Sequence, residues 1–225
     1  MQKRGVRGFV DVDGQSLDAL APRERILKTA SDLFYRLSIN SVGIDRIIAE
    51  SGVAKMTFYK HFPSKADLIA TYLRYKSDAW FQMLATATER AGLSPLERVL
   101  AIFDALEEPL RAPSFRGCPF VKGLAEFGPE ANSPNVQATI AMYFKRLHDF
   151  VASLIAPLAL SMPEKAVVQI LSLVHGSIVI AQSTRDPALV EANRDAARLL
   201  LEDRLISSSE PGVCKTAGQT VSAPA

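Results

Sequence analysis

The sequence predicts an all-α fold of about nine helices, on three observations. Apolar residues recur at helical spacing in nearly every segment between residues 22 and 206. Proline and glycine stand where those segments begin and end. Strand-like alternation never exceeds four residues.

Taken in order, Pro22 opens a helix with Ile26, Leu27, Ala30, Leu33, Phe34 and Leu37 on one face and Arg23, Lys28, Asp32 and Arg36 on the other. A short helix follows from about Ile44 to Ser51, with Ile44, Ile47 and Ile48 facing inward. Gly52 supplies a turn, and Ala54 starts a third helix that ends near His61-Phe62-Pro63. Ser64 is placed to cap a long connecting helix, because neither proline nor glycine interrupts residues 64–91; fraying is expected after about residue 87. Ser94-Pro95-Leu96-Glu97 has the capping-box pattern, Ser161-Met162-Pro163-Glu164 repeats its spacing, and Ser133-Pro134 and Asp186-Pro187 each pair a capping residue with proline. Helices are therefore expected near 95–108, 119–127, 134–156, 163–184 and 187–206.

Residues 1–20 and 207–225 lack this periodicity and read as a disordered arm and tail. Between them, residues 21–67 read as a helix-turn-helix domain and 68–206 as a second helical domain. Charge divides the same way. Residues 22–76 hold ten Lys/Arg against five Asp/Glu, whereas 77–225 hold thirteen against sixteen. A basic unit joined to a mildly acidic one fits a polyanion binder with a control module, or simply a solvated basic face.

Other classes are disfavoured. Cys118 and Cys214 are too few and too far apart for a disulfide framework or a metal cluster. Asp11-Val12-Asp13-Gly14 lacks the remaining acidic positions of a calcium loop, so no metal and no cofactor is expected. The basic N-terminus has no apolar signal core, and no apolar run approaches a membrane span, so a cytoplasmic protein without membrane partners is expected. His61, His148 and His175 are the only histidines, Cys118 has no partner motif, and His175-Gly176-Ser177 is no nucleophile elbow; an enzyme is not expected.

Residues 43–65, GIDRIIAESGVAKMTFYKHFPSK, carry the chemistry. Two short helices meeting at a glycine suit a helix-turn-helix whose second helix enters the major groove of DNA. In its first turn, Lys55 is suited to guanine O6/N7, Met56 to a thymine methyl, and Thr57 to a base or a phosphate. Tyr59 and Lys60 follow one turn later and Lys65 begins the next helix, while Val53, Phe58 and Phe62 are apolar anchors. Gly43 and Ile44, where the second helix starts, complete the DNA-facing set, because uncapped backbone N–H groups there are open to a phosphate.

This stretch resembles the TetR family of bacterial transcriptional regulators. The matching residues are Ile26-Leu27, Ala30 and Leu33-Phe34, then Asp45-Arg46-Ile47, then the run from Gly52 to Lys65. The resemblance implies a three-helix DNA-binding domain and an all-α ligand-binding and dimerisation domain. It implies that Lys55, Met56 and Thr57 face bases and that Tyr59, His61 and Lys65 face phosphates; His61 also suits a cap between helices. Three positions depart from the family pattern. Ser38 stands where a glycine usually ends the first helix, Gly43 replaces a Thr or Ser cap, and Ile48 replaces a common Ala. A left-handed backbone at Ser38 would cost stability.

Arg116-Gly117-Cys118-Pro119-Phe120 followed by Ala125-Glu126-Phe127 looks like a segment of one subgroup of these regulators. Cys118 reads as a small buried residue beside a tight turn, with a redox or pocket-lining thiol as the alternative. The 163–184 helix is apolar on nearly every face and must be covered on all sides. Val167, Ile170, Leu171, Val174, Ile178 and Ala181, with Leu189, Ala192, Ala196 and Leu199 of the next helix, are expected to form a four-helix homodimer interface; intramolecular core is the alternative. Trp80, Phe81, Met83, Leu84, Phe103, Leu106, Phe127, Met142, Tyr143 and His175 are expected either to line a cavity for a small hydrophobic or aromatic effector or to be plain core. The whole reads as a repressor that binds a palindromic operator on double-stranded DNA and is released by a small molecule. An activator, a corepressor-dependent regulator and an effector-free architectural dimer are the alternatives.

Overall fold

The computed structural model describes residues 19–128, 131–186 and 188–208. Residues 1–18 of the arm expected at 1–20, the aspartates at 11 and 13, Cys214 and all but the first two residues of the tail expected at 207–225 lie outside them; those two belong to the last helix. Nine α-helices and no strand are present among the described residues: α1 Pro22–Arg36, α2 Ile44–Ser51, α3 Lys55–His61, α4 Lys65–Thr88, α5 Pro95–Arg111, α6 Pro119–Glu126, α7 Pro134–Ile155, α8 Pro163–Thr184 and α9 Ala188–Ser208. A short 3-10 turn, Ala156–Leu158, follows α7. Helices α1 to α3 form a head whose α1 packs on α4. Helix α4 packs against α5 and α7, α5 against α9, and α7 against α8, which closes the bundle on α9. The all-α expectation holds.

Helix α4 passes through residues 67 and 68 without a break, so the two expected domains share a helix rather than a linker. Near its start it buries Leu68, Tyr72 and Leu73, with Tyr72 edge-on to Phe34 of α1 at 5.4 Å. Further along it buries Trp80, Phe81 and Leu84.

The start signals succeed unevenly. Ser94 and Glu97 form the full capping box, with bonds of 3.3 and 2.8 Å. Ser64 caps α4 by accepting the Asp67 N–H at 3.1 Å. Asp186 accepts the Ala188 N–H at 2.9 Å. Ser161 does not cap α8: Met162 holds that position, with no side-chain bond. Ser133 is the N-cap of α7, but its hydroxyl makes no capping bond. The Gln137 side chain instead ties down the preceding loop through the Gly128 and Ala131 carbonyls, at 2.7 and 3.1 Å. Helix α5 also outruns the expected end at 108 and takes in Pro109. That proline lies in the last turn and forgoes its own bond to the carbonyl four residues back, but the helix ends two residues later, where Ala112 N–H closes onto the Pro109 carbonyl at 3.2 Å.

Ser38 bears none of the expected strain. Among the described residues the only non-glycine ones with positive φ are Ala159 and Arg185. Helix α1 ends through an extended Leu37, at φ −112°. The loop that follows is held by Glu126 of α6, whose carboxylate accepts the Ser38 hydroxyl at 2.8 Å.

The expected dimer face needs correction. Val167, Ile170, Val174, Ile178 and Ala181 are buried inside the single chain, because that stripe of α8 faces its own bundle. Asn193 Nδ2 donates to Ser177 Oγ at 2.8 Å and Arg204 to Gln169 Oε1 at 2.6 Å, which sets α9 antiparallel to α8. The apolar residues left outside are Val168 (57% exposed), Val179 (49%) and Ile180 (44%) on α8, and Leu199 (68%) on α9. Leu171, Leu189 and Ala196 are half-buried and Ala192 is exposed. Helix α8 also has the length and composition to cross a membrane, contrary to the expectation that no run would. Its partners α7 and α9 place it within the bundle.

Gly117 sits at φ +86°, where an added Cβ would collide with the Gln182 side chain of α8. Cys118 beside it is buried, and burial pushes its thiol up to about 11, which leaves it protonated rather than a reactive thiolate. The left-handed backbone dominates the cost of a side chain at residue 117, since Gln182 can swing aside. Gly117→Ala is expected to destabilise the fold by about 1–2 kcal/mol, read as a lower denaturant midpoint at unchanged slope.

Candidate nucleic-acid interface

The helix-turn-helix is built by one left-handed residue. Gly52 ends α2 at φ 64°, Val53 turns into the core, and Ala54 begins α3 with extended backbone. Helix α3 is held by Phe58, which is fully buried and packs on Phe62 at 6.2 Å between ring centroids. Arg23 of α1 lies over the Phe62 ring at 5.4 Å. The opposite side of α3 faces outward.

That outward side carries the expected readers. Met56 is 82% exposed, an unusual position for a large apolar side chain on a short helix. Lys55 and Lys60 are exposed, as is Tyr59, whose ring stands edge-on to Phe58 at 5.3 Å. Thr57 and His61 are half-buried. Gly43 is the N-cap of α2 with no side-chain cap, and Ile44 beside it is half-buried against the core. Ile48 is likewise packed against that core.

Two readers have partners that the sequence did not signal. Lys55 Nζ lies 3.9 Å from the carboxylate of Asp45 on α2. Both side chains are solvent-exposed, so the pair is weak and readily exchanged for a base or phosphate. Lys65 is half-buried and donates to the Asn40 carbonyl at 3.3 Å. Burial lowers its pKa, and Glu126 opposes that shift. Helical periodicity cannot reveal either contact, because each joins side chains from different elements.

The expected effector residues separate. Trp80, Leu84 and Leu106 are fully buried core, and Phe127 is buried where α6 ends. Phe103 floors a cleft of about 460 Å³ whose rim is the charged set Asp104, Glu107, Arg111 and Arg194. Met142 and Tyr143 line a cleft of about 420 Å³ between α4 and α7, together with Arg74, Ser77, Asp78 and Arg146. Phe81 lines a neighbouring hollow that shares Arg146 and Asp149. The Arg146 guanidinium lies 4.0 Å over the Phe81 ring and pairs with Asp78 at 2.9 Å. Met83 is half-buried against the core. His175 donates from Nδ1 to the Leu171 carbonyl at 2.9 Å, which leaves its buried Nε2 without a partner, beside Phe144. No group of three or more His, Cys, Asp or Glu among the described residues is placed to hold a metal.

Residues 26–72 match the family model of bacterial regulatory proteins of the tetR family. An uncharacterized HTH-type transcriptional regulator of Mycobacterium tuberculosis is 26% identical over 193 residues, covering 81% of this chain and 95% of that one. The crystal structure of a TetR-family transcriptional regulator from Streptomyces coelicolor is 31% identical with a TM-score of 0.71, over 84% of this chain and 96% of that one. A putative TetR regulator from Streptomyces avermitilis is 28% identical with a TM-score of 0.66, over 79% and 98%. With the exposed recognition helix, these matches establish that the chain belongs to the TetR family, helix-turn-helix DNA-binding transcriptional regulators and not enzymes.

Proposed function

We propose that this chain is a cytoplasmic, ligand-released repressor that binds a palindromic operator as a homodimer. The observation that carries the reading is the outward face of α3, where Lys55, Met56 and Tyr59 are exposed above a fully buried Phe58. In this reading Lys55, Met56 and Thr57 touch base edges, and Gly43, Ile44, Tyr59, Lys60, His61 and Lys65 lie against the backbone. A seven-residue helix spans few base pairs, so specificity calls for two heads related by a two-fold axis.

The exposed Val168, Val179, Ile180 and Leu199 on adjacent antiparallel helices supply the dimer face. A second copy of the same pair closes a four-helix contact and removes those side chains from water. An apolar or aromatic effector enters the cleft between α4 and α7, beside Met142 and Tyr143. Arg74, Ser77 and Asp78 of that cleft belong to α4, so a ligand there bears on the helix that also enters the head. Coupling of about 1–3 kcal/mol between the two sites suffices for release.

Lys55→Ala is expected to cost roughly 1–3 kcal/mol at one operator position and relax the preference there. Lys65→Ala should weaken binding evenly across sequences and reduce the salt slope by about one. Operators enriched from a random DNA pool, compared across salt concentrations, separate the two; unchanged affinity and selectivity in both variants would refute the reading. Leu199→Glu should raise the dimer dissociation constant by about a hundredfold, roughly 2.7 kcal/mol, seen in sedimentation as monomer at micromolar protein. A thermal-shift screen with small aromatic compounds should find one that raises the melting temperature and is blunted by Met142→Asp; a screen with no such compound favours the effector-free alternative.

A further inference from the structure

Helix α6 grips the head at the loop between α1 and α2. One oxygen of Glu126 accepts the Asn40 N–H at 2.7 Å and the Ser38 hydroxyl at 2.8 Å; the other accepts the Ile39 N–H at 3.1 Å. Asn40 Nδ2 returns a bond to the Glu126 carbonyl at 3.4 Å. One turn earlier on α6, Lys122 donates to the Tyr35 carbonyl at 2.9 Å. The arrangement is complementary at every point. A helix C-terminus leaves carbonyls unpaired, and a cation meets one of them. The loop beyond leaves amides unpaired, and an anion meets two of them, in charge-assisted bonds roughly twice as strong as neutral ones.

The grip continues in both directions. Toward DNA, the Asn40 carbonyl accepts Lys65, so the residue held by Glu126 in turn holds a phosphate-facing lysine. Toward the bundle, Phe120 in the first turn of α6 stacks on Tyr143 at 3.4 Å between centroids, and Tyr143 lines the α4–α7 cleft. One eight-residue helix therefore touches a cleft-lining residue at its start and the head at its end.

We infer that Glu126 is a positioning residue for DNA reading: its carboxylate straps loop 38–40 to α6, fixes the angle of the head, and thereby sets the half-site spacing the dimer accepts. The inference rests on the dimeric DNA-reading function proposed above. Ser38 is part of the strap, since its hydroxyl is one of the donors.

The test uses the full chain with Glu126→Ala and Glu126→Gln, on operators enriched by the wild type and on versions with one base pair inserted between half-sites. Wild type should lose about tenfold or more on insertion, Glu126→Ala about twofold or less, and Glu126→Gln an intermediate amount, with the same half-site base preference in all three. A purely structural role would not relax spacing while preserving base preference. An equal insertion penalty in wild type and Glu126→Ala overturns the inference, as does loss of base preference in the variant. Amide exchange supplies a second measurement that needs no DNA. The Ile39 and Asn40 amides should exchange about tenfold faster in Glu126→Ala while those of α1 and α3 are unchanged. Unaltered exchange at those two amides overturns the strap even if no operator is found; a wild-type protein that enriches no sequence refutes the DNA-reading function instead.

Discussion

Tyr35 is the point on which the arrangement of head and bundle depends. Its ring lies under the ammonium of Lys76 from α4 at 5.3 Å and that of Lys122 from α6 at 5.5 Å. Its hydroxyl accepts the Arg116 N–H at 2.9 Å, and its carbonyl accepts Lys122. Burial raises the phenol well above its ordinary range, so it stays neutral. Two cations on a buried aromatic face are favoured by the ring quadrupole where water is scarce. Three separate stretches of chain thus converge on a residue in the last turn of α1, which makes that turn the fulcrum of the head.

Much of the fold was legible because its signals are local. The capping box at Ser94 and the cap at Ser64 are contained in four residues each, and the structure honours both. Ser161 and Ser133 show where this fails. Ser161 lies one residue short of the cap position, and Ser133 holds that position without its hydroxyl reaching an amide, because the hydroxyl bonds only if the backbone brings it over the first turn. Burial on α8 was misread for a related reason. A helix apolar on every side announces that all sides are covered, but not which side its own chain covers. Only the placement of α5, α7 and α9 settles that Val167 and Ile170 face inward while Val168 and Val179 face out.

The reader was the most legible part of the candidate site, because one short stretch supplies its turn, its anchors and its outward residues. The contacts made by Glu126 were not legible. They join residues more than 80 positions apart through backbone amides, which carry no side-chain identity for a sequence to display. Residues of the cleft were half legible for the opposite reason: aromatic and methionine side chains at helical spacing mark both cores and cavities. Packing divided them, leaving Trp80 and Leu84 inside and Met142 outside.

The unbroken α4 has a mechanical consequence. Its 24 residues make a rod about 36 Å long at ~1.5 Å per residue. Pivoting such a rod by about 10° at the cleft, roughly 18 Å along the helix from Lys65, carries its head end about 3 Å, close to the ~3.4 Å rise of one base pair. A displacement no larger than a side-chain rearrangement can therefore move a recognition helix by a full step of the DNA ladder. Stiffness, rather than flexibility, is what would let a small molecule be felt at the groove.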